Sequence, residues 1–448
     1  MIIDFSVKNY RSFRGEQKLS FVANTRDDTL MGALMDPGLA GAEFAKIRLL
    51  KGLVIYGANA AGKTNTLRAL AYLTWFVEHS ATSLNEGDAT GVEPFCLADA
   101  TQKEPTEFIL RFVVDGVRYH FVLVLNNERV LFESLSAFPK GREQVWYERS
   151  IDEESGEYTW EPSRPTDYKR DGSLVKFTRS NALYLSTAVK FNDDQLRPVY
   201  LWFKERITML RLNADFPPFS PGFTGKMLMQ SANRRAQVTR LMQHADMGIL
   251  SAKATERQVT SAELPPGIPE DIRNQILERK HMDISLGHRG DNGREYTLKW
   301  EDESSGTQKF FALAGPWLDI LEKGRIAGLD EIESSMHPLM VHALLSLVFS
   351  NTTNANGTQL IFTTHNPLLL DTGLIRRDQV WFADKDETGA TFLYPLTDYK
   401  PRRQESLVRG YLAGRYGGVP FIPEALIADT PKHSEPATSG AYPDGIPP

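Results

Sequence analysis

The chain reads as an α/β protein with a mixed β-sheet core, an antiparallel β subdomain and an inserted helical region, and without a long coiled coil. Three observations predict this. The apolar run Gly52-Leu53-Val54-Ile55-Tyr56 leads into Gly57-Ala58-Asn59-Ala60-Ala61-Gly62-Lys63-Thr64 and then into a helical stretch over residues 65–77. Between residues 92 and 185 the pattern turns to alternating apolar and polar residues broken by Gly-, Glu- and Asp-rich turns, as in a β meander. Two later segments read as strands, the apolar Ile326-Ala327-Gly328-Leu329 and residues 359–363, and they alternate with helical stretches, as parallel strands do. No heptad repeat is sustained through the middle of the chain.

At 448 residues the chain suits two packed lobes, and 41% hydrophobic with 24% charged residues is an ordinary globular balance. No apolar run approaches a membrane span, and Met1-Ile2-Ile3-Asp4-Phe5 lacks the basic flank of a secretory signal. A cytoplasmic location without a membrane partner is therefore expected. The single cysteine, Cys96, excludes an internal disulfide and a multi-cysteine metal site. A net charge of −6 supplies no global attraction to nucleic acid, and Asn233-Arg234-Arg235, Arg240 and Arg402-Arg403 read as solvated helix faces.

Taken in order, Ile3, Phe5 and Val7 alternate with Asp4, Ser6 and Lys8, and a second strand at residues 17–22 closes an N-terminal hairpin. The strand Gly52 to Tyr56 and its helix come next, ending near His79-Ser80. Residues 107–114 and 118–125, joined by Asp115-Gly116, form a strong hairpin signal. Strands at 130–138, 144–149 and 158–161 continue the meander. Residues 195–212 read as one helix, broken by the proline-rich segment 216–222, and a helical pair is expected at 226–246 and 269–280 around a polar connection. A strand at 296–300 precedes Ser304-Ser305-Gly306-Thr307-Gln308 and a helix at 309–322 stopped by Gly324. The acid-ended strand 326–331, a helix at 338–350, the strand 359–363 and strands at 379–383 and 390–394 close the fold. The expected organisation is an N-terminal lobe (1–91), a meander with inserted helices (92–290), a C-terminal lobe (291–427) and a disordered tail (428–448) rich in Pro, Ser, Gly, Thr and Ala.

The segment Gly57 to Thr64 is a complete GxxxxGK[ST] loop in the strand–loop–helix context that such loops need to hold phosphate. Its glycines let successive amides face an anion, and the helix behind it presents a positive N-terminal end. Residues 57–65 would cradle the phosphates of ATP, with Lys63 on the β and γ groups and the Thr64 hydroxyl on Mg²⁺. A P-loop calls for an acid on a second strand. Asp330 fits as the metal-holding carboxylate, on a strand expected beside Gly52 to Tyr56, and Glu331 as the base that polarises an attacking water. An Asp-Glu pair can also start a helix; the intact P-loop upstream favours the hydrolytic reading. Asp384-Lys385-Asp386 reads as a hairpin rather than a metal site.

Ser304 to Gln308 stands about twenty residues before the acid strand, and there the chain resembles the ABC/SMC/RecF-type ATPases. The resemblance implies that Ser305 and Gly306 contact the γ-phosphate held by a second subunit, with Gln308 supporting the turn. Ser304 and Thr307 replace the family's leucine and second glycine. It further implies a nucleotide-side role for Arg11 in Val7-Lys8-Asn9-Tyr10-Arg11-Ser12-Phe13. It makes His365 in Thr363-Thr364-His365-Asn366-Pro367 a γ-phosphate donor. Asp330-Glu331-Ile332-Glu333-Ser334-Ser335-Met336-His337-Pro338 and Tyr411-Leu412-Ala413-Gly414-Arg415-Tyr416-Gly417-Gly418-Val419-Pro420 resemble a bacterial branch: RloA-like and abortive-infection ATPases, OLD-family nucleases and the AriA subunit of PARIS defence. The resemblance thus implies an ATPase working as a homodimer or higher oligomer in anti-phage defence. The 83 residues after His365 leave no room for a Toprim domain, so the effector, a Toprim- or RloB-like nuclease, would be a separate polypeptide. The alternatives are a RecF-like repair ATPase with DNA as its partner, and a purely structural nucleotide-bound scaffold.

Overall fold

The computed structural model describes residues 1–39, 46–152, 154–160, 168, 172–210, 221–245, 248–265, 267–278, 280–333, 336–402 and 404–419. The expected break at 216–220, Asp246, Ser334, Ser335, Arg403, Pro420 and the tail from 428 lie outside these residues.

Six strands make the core sheet, in the order Ile207–Leu210, Ile326–Leu329, Gln359–Thr363, Gly52–Tyr56, Val380–Lys385 and Thr391–Pro395. The first five run parallel and the last pairs antiparallel with its neighbour. The three central strands are buried at every residue, as parallel strands covered on both faces must be. Alternation along Gly52–Tyr56 sorts the coverage. Leu53 and Ile55 join Leu67, Leu70 and Leu73 of the helix Lys63–His79. Val54 and Tyr56 join Phe310 and Trp317 of the helix Ser305–Lys323 and Val341 and Leu344 of the helix Pro338–Val348. Contrary to the expectation from sequence, the acid strand Ile326–Leu329 does not adjoin Gly52–Tyr56, because Gln359–Thr363 lies between them. The two are therefore about 10 Å apart at ordinary strand spacing. The loop and helix after Tyr56 bridge that gap.

The N-terminal hairpin and the meander form one seven-stranded antiparallel sheet, ordered Tyr158–Trp160, Gln144–Ile151, Val130–Phe138, Val117–Leu125, Thr106–Val114, Ile2–Lys8 and Gln17–Ser20. Asp115 (φ 48°) and Gly116 (φ 76°) turn its central hairpin with both residues left-handed, the type I′ geometry that Asp-Gly favours. Asp4, expected on a polar face, is buried beside Arg111 (3.3 Å) and Lys18 (3.6 Å).

Three expectations for the inserted region fail, one of them because the helix expected at 226–246 is broken at the extended Ser231 into Gly222–Gln230 and Ala232–Ala245. Residues 195–210 are not one helix: Arg197–Leu201 passes into a π-helical turn, Trp202–Arg206, and then into the strand Ile207–Leu210. That strand docks on the open edge of the acid strand, so a tertiary partner overrides local propensity. The polar connection after the helices Gly222–Gln230 and Ala232–Ala245 begins with the strand Ile249–Gln258. It pairs with Lys280–Arg289, which pairs with Glu295–Lys299, and the helix Glu270–Glu278 lies between the first two strands in sequence. The outer half of that hairpin is exposed, so its sequence lacks the apolar alternation that announces a strand. The longest described helix, Ser305–Lys323, has 19 residues, and no long coiled coil occurs among the described residues. No described helix is long and apolar enough to cross a membrane.

Lys51, just ahead of the P-loop strand, is 1% exposed. Its Nζ donates to the Ser350 carbonyl (3.1 Å) and to Asn351 Oδ1 (2.6 Å), both neutral. Burial lowers its pKa from 10.5 to about 8. Between those values the unfolded chain holds a proton that the folded chain has released, so stability rises with pH across that window. Lys51→Met removes this rise. Melting both proteins from pH 7 to 10.5 should show the wild type gaining up to about 3 kcal/mol on the variant; parallel profiles would refute the assignment.

Candidate nucleotide site

Gly52–Tyr56 delivers the loop and Lys63–His79 carries it away. Gly62, the N-cap of that helix, has φ 102°, a conformation that side chains oppose. Gly57 is needed for a different reason: a Cβ there would meet the Ala383 carbonyl oxygen at 2.5 Å. The loop is pinned by Ala61 N–H to the Ala58 carbonyl (3.2 Å) and by the Thr391 hydroxyl to the Ala61 carbonyl (2.9 Å). The Asn65 and Thr66 amides donate to the Gly62 carbonyl (3.0 and 3.3 Å), and the two amides before them, of Lys63 and Thr64, stand at the helix N-terminus, where an anion is stabilised. Lys63 Nζ donates to the Gly57 and Ala58 carbonyls (2.9 Å each), which leaves its third hydrogen for a phosphate oxygen. Burial lowers the Lys63 pKa, and the charges of Asp330, Glu331 and Glu333 oppose that shift.

The acid strand meets the loop through hydroxyl groups. Thr64 Oγ1 donates to Asp330 Oδ2 (2.9 Å), and Thr363 Oγ1 donates to Asp330 Oδ1 (2.6 Å). Because the Thr64 proton is committed to Asp330, its oxygen keeps lone pairs to offer, as a ligand to Mg²⁺ requires. Glu331 comes next at φ 48°, left-handed for a residue with a Cβ, and its N–H donates to Thr363 Oγ1 (2.8 Å). That turn puts its carboxylate, 56% exposed, 3.7 Å from His365 Nε2. Glu333, which no sequence motif singles out as a site residue, accepts from the Thr364 hydroxyl (2.8 Å) and the His365 N–H (2.5 Å). Thr363 likewise stands out in the sequence only as the prelude to His365. The one available signal for both is the pair of threonines opposite a run of three acids.

The other predicted residues stand apart from this cluster in their bonding. The Arg11 guanidinium lies 2.5 Å from Glu93, and the neighbouring Ser12 touches the P-loop helix by accepting from Asn65 Nδ2 (2.8 Å). Ser304 caps the helix Ser305–Lys323, four residues earlier than expected, by accepting from Thr307 N–H (3.1 Å). Gln308 Nε2 donates to the Trp300 carbonyl (2.6 Å), and Ser305 is exposed. Among the described residues, no hydrogen bond or ion pair joins Ser305 or Gly306 to the P-loop. The C-terminal tyrosines support the loop from behind: Tyr411 packs on Tyr56 (ring centroids 5.4 Å), and Gly418 lies against Gly57. Asp384 accepts from Gly418 N–H (3.1 Å), and Asp386 receives Thr388 and Ala390 amides in a hairpin turn.

A helix N-terminus behind a glycine-bounded loop, a buried lysine and an aligned threonine–carboxylate pair fit a nucleoside triphosphate with its Mg²⁺. The family described as "AAA domain, putative AbiEii toxin, Type IV TA system" matches residues 53–371, from the P-loop strand to just beyond the His365 segment. The chain belongs to this AAA family. Three solved structures are similar to this AAA protein over most of its length. The SMC head domain from Thermotoga maritima is 14% identical, covering 88% of this chain and 98% of that one with a TM-score of 0.38. An SMC head bound to the C-winged helix domain of ScpA is 12% identical, covering 88% and 96% with a TM-score of 0.37. The Smc head domain with an extended coiled coil, bound to the C-terminal domain of ScpA and derived from Pyrococcus furiosus, is 14% identical, covering 89% and 97% with a TM-score of 0.36. No curated protein matches the AAA chain significantly.

Proposed function

We propose that this AAA protein is an ABC-like ATPase that binds and hydrolyses ATP as a switch in bacterial anti-phage defence. The observation that carries the hydrolytic reading is the continuous line Thr64–Asp330–Thr363–Glu331, with His365 beside Glu331. Lys63 and the loop amides hold the β- and γ-phosphates. Thr64, backed by Asp330, would hold Mg²⁺, which neutralises phosphate charge when bound. Glu331 accepts a proton from a water aligned on the γ-phosphorus, and His365 donates to the γ-phosphate oxygens as charge develops. Two copies face each other, so that the exposed start of the helix Ser305–Lys323, with Ser305 and Gly306 and braced by Gln308, completes the partner's site. Arg11 then lines the nucleotide from the N-terminal turn.

The family description supports the defence role, and the resemblance of the closing segment to RloA-like proteins supports a separately encoded effector, a Toprim- or RloB-like nuclease. ATP holds the assembly closed and turnover releases it, a γ-phosphate switch. The test is Mg²⁺-dependent phosphate release together with ATP-dependent dimer formation by light scattering. Affinity for DNA that needs ATP and falls steeply with salt would favour the RecF-like repair reading instead.

A further inference from the structure

We infer that Thr363 is a positioning residue that sets the catalytic geometry of Glu331; the inference rests on the proposed hydrolytic role of Glu331. Three consecutive residues of the acid segment are held by this one threonine. Its hydroxyl gives its single proton to Asp330 Oδ1 (2.6 Å) and accepts the Glu331 N–H (2.8 Å). Its carbonyl accepts the Ile332 N–H (3.1 Å). Thr363 is fully buried at the end of the strand Gln359–Thr363, so its hydroxyl has no bulk water to bond instead. The parallel ladder between the two strands ends at Leu329 opposite Phe362. Beyond that point the hydroxyl replaces a ladder bond.

The consequence lies in the backbone of Glu331. At φ 48° the residue sits in a conformation that costs a Cβ-bearing residue free energy and persists only where its surroundings over-determine it. The hydrogen bond from Glu331 N–H is the constraint on that residue's own amide. The same hydroxyl orients Asp330, so the metal-side acid and the water-side base are set by one group rather than independently. Without it, Glu331 relaxes toward an extended or right-handed backbone and its carboxylate leaves the side facing His365. The Asp330 contact with Thr64, and with it phosphate binding, depends on the other carboxylate oxygen and survives.

Thr363→Val and Thr363→Ser test this. Valine keeps the buried shape and the backbone bond to Ile332 while deleting the hydroxyl; serine restores the hydroxyl. The valine variant should lose about 10- to 100-fold in kcat while its affinity for a fluorescent ATP analogue stays within about threefold, and serine should recover most of the rate. Hydrogen exchange over residues 330–332 should accelerate in the valine variant alone, with protection elsewhere unchanged. Unchanged kcat and unchanged exchange would overturn the inference, as would a joint loss of rate, affinity and global protection. If the wild type does not hydrolyse ATP, the hydrolytic reading falls by itself. Exchange then decides whether Thr363 holds Glu331: local acceleration upholds the clasp, and none refutes it.

Discussion

Replacing Lys63 with alanine is expected to abolish measurable nucleotide binding. Its ammonium is buried at the mouth of the loop, bound to the Gly57 and Ala58 carbonyls, and has one hydrogen left for an anion. A charge-assisted hydrogen bond is worth about 1.5–3 kcal/mol, and within a site shielded from water the loss of charge adds to that. The affinity loss should therefore be at least about 100-fold, read by titration with a fluorescent ATP analogue. Burial already disfavours the charged form of Lys63, so its removal should leave the thermal midpoint near that of the wild type. Retained affinity would mean that the amides alone hold the phosphates.

Glu331→Gln should separate binding from chemistry. The amide side chain keeps the size of glutamate, and the backbone bond from residue 331 to Thr363 does not involve the side chain. Proton acceptance is what disappears, and positioned general bases contribute about 10²- to 10⁴-fold. Steady-state phosphate release should fall by that amount while ATP affinity is unchanged. In the dimeric reading, the ATP-bound pair should then accumulate on size exclusion instead of cycling. Turnover equal to the wild type would remove Glu331 from the reaction and favour a nucleotide-bound scaffold.

Much of this site is legible in the chain because its parts are local. Gly57 to Thr64 carries its strand, turn and helix in consecutive residues, and Asp115-Gly116 specifies its hairpin in two. The strand Gln359–Thr363 is visible because the apolar run Leu360-Ile361-Phe362 ends at two threonines and a histidine. Pairings at long range are not legible. Nothing in Ile207–Leu210 announces a parallel partner, since the partner is the open edge of Ile326–Leu329, more than a hundred residues away. The hairpin Ile249–Gln258 with Lys280–Arg289 is hidden because its exposed end has no apolar face. Glu333 and Thr363 escape notice because their roles are hydrogen bonds to groups about thirty residues away.

The sequence alone determined the chemistry on offer: a phosphate-cradling loop, an acid pair closing an apolar strand, and a histidine after another. Each is written in adjacent residues, where backbone geometry and residue type leave few alternatives. Only the tertiary structure decided how they meet. By inserting Gln359–Thr363 between the P-loop strand and the acid strand, it brought a threonine hydroxyl within reach of both Asp330 and Glu331. A strand order is a choice among hydrogen-bonding partners of nearly equal local merit, and only the packing of the whole sheet settles it.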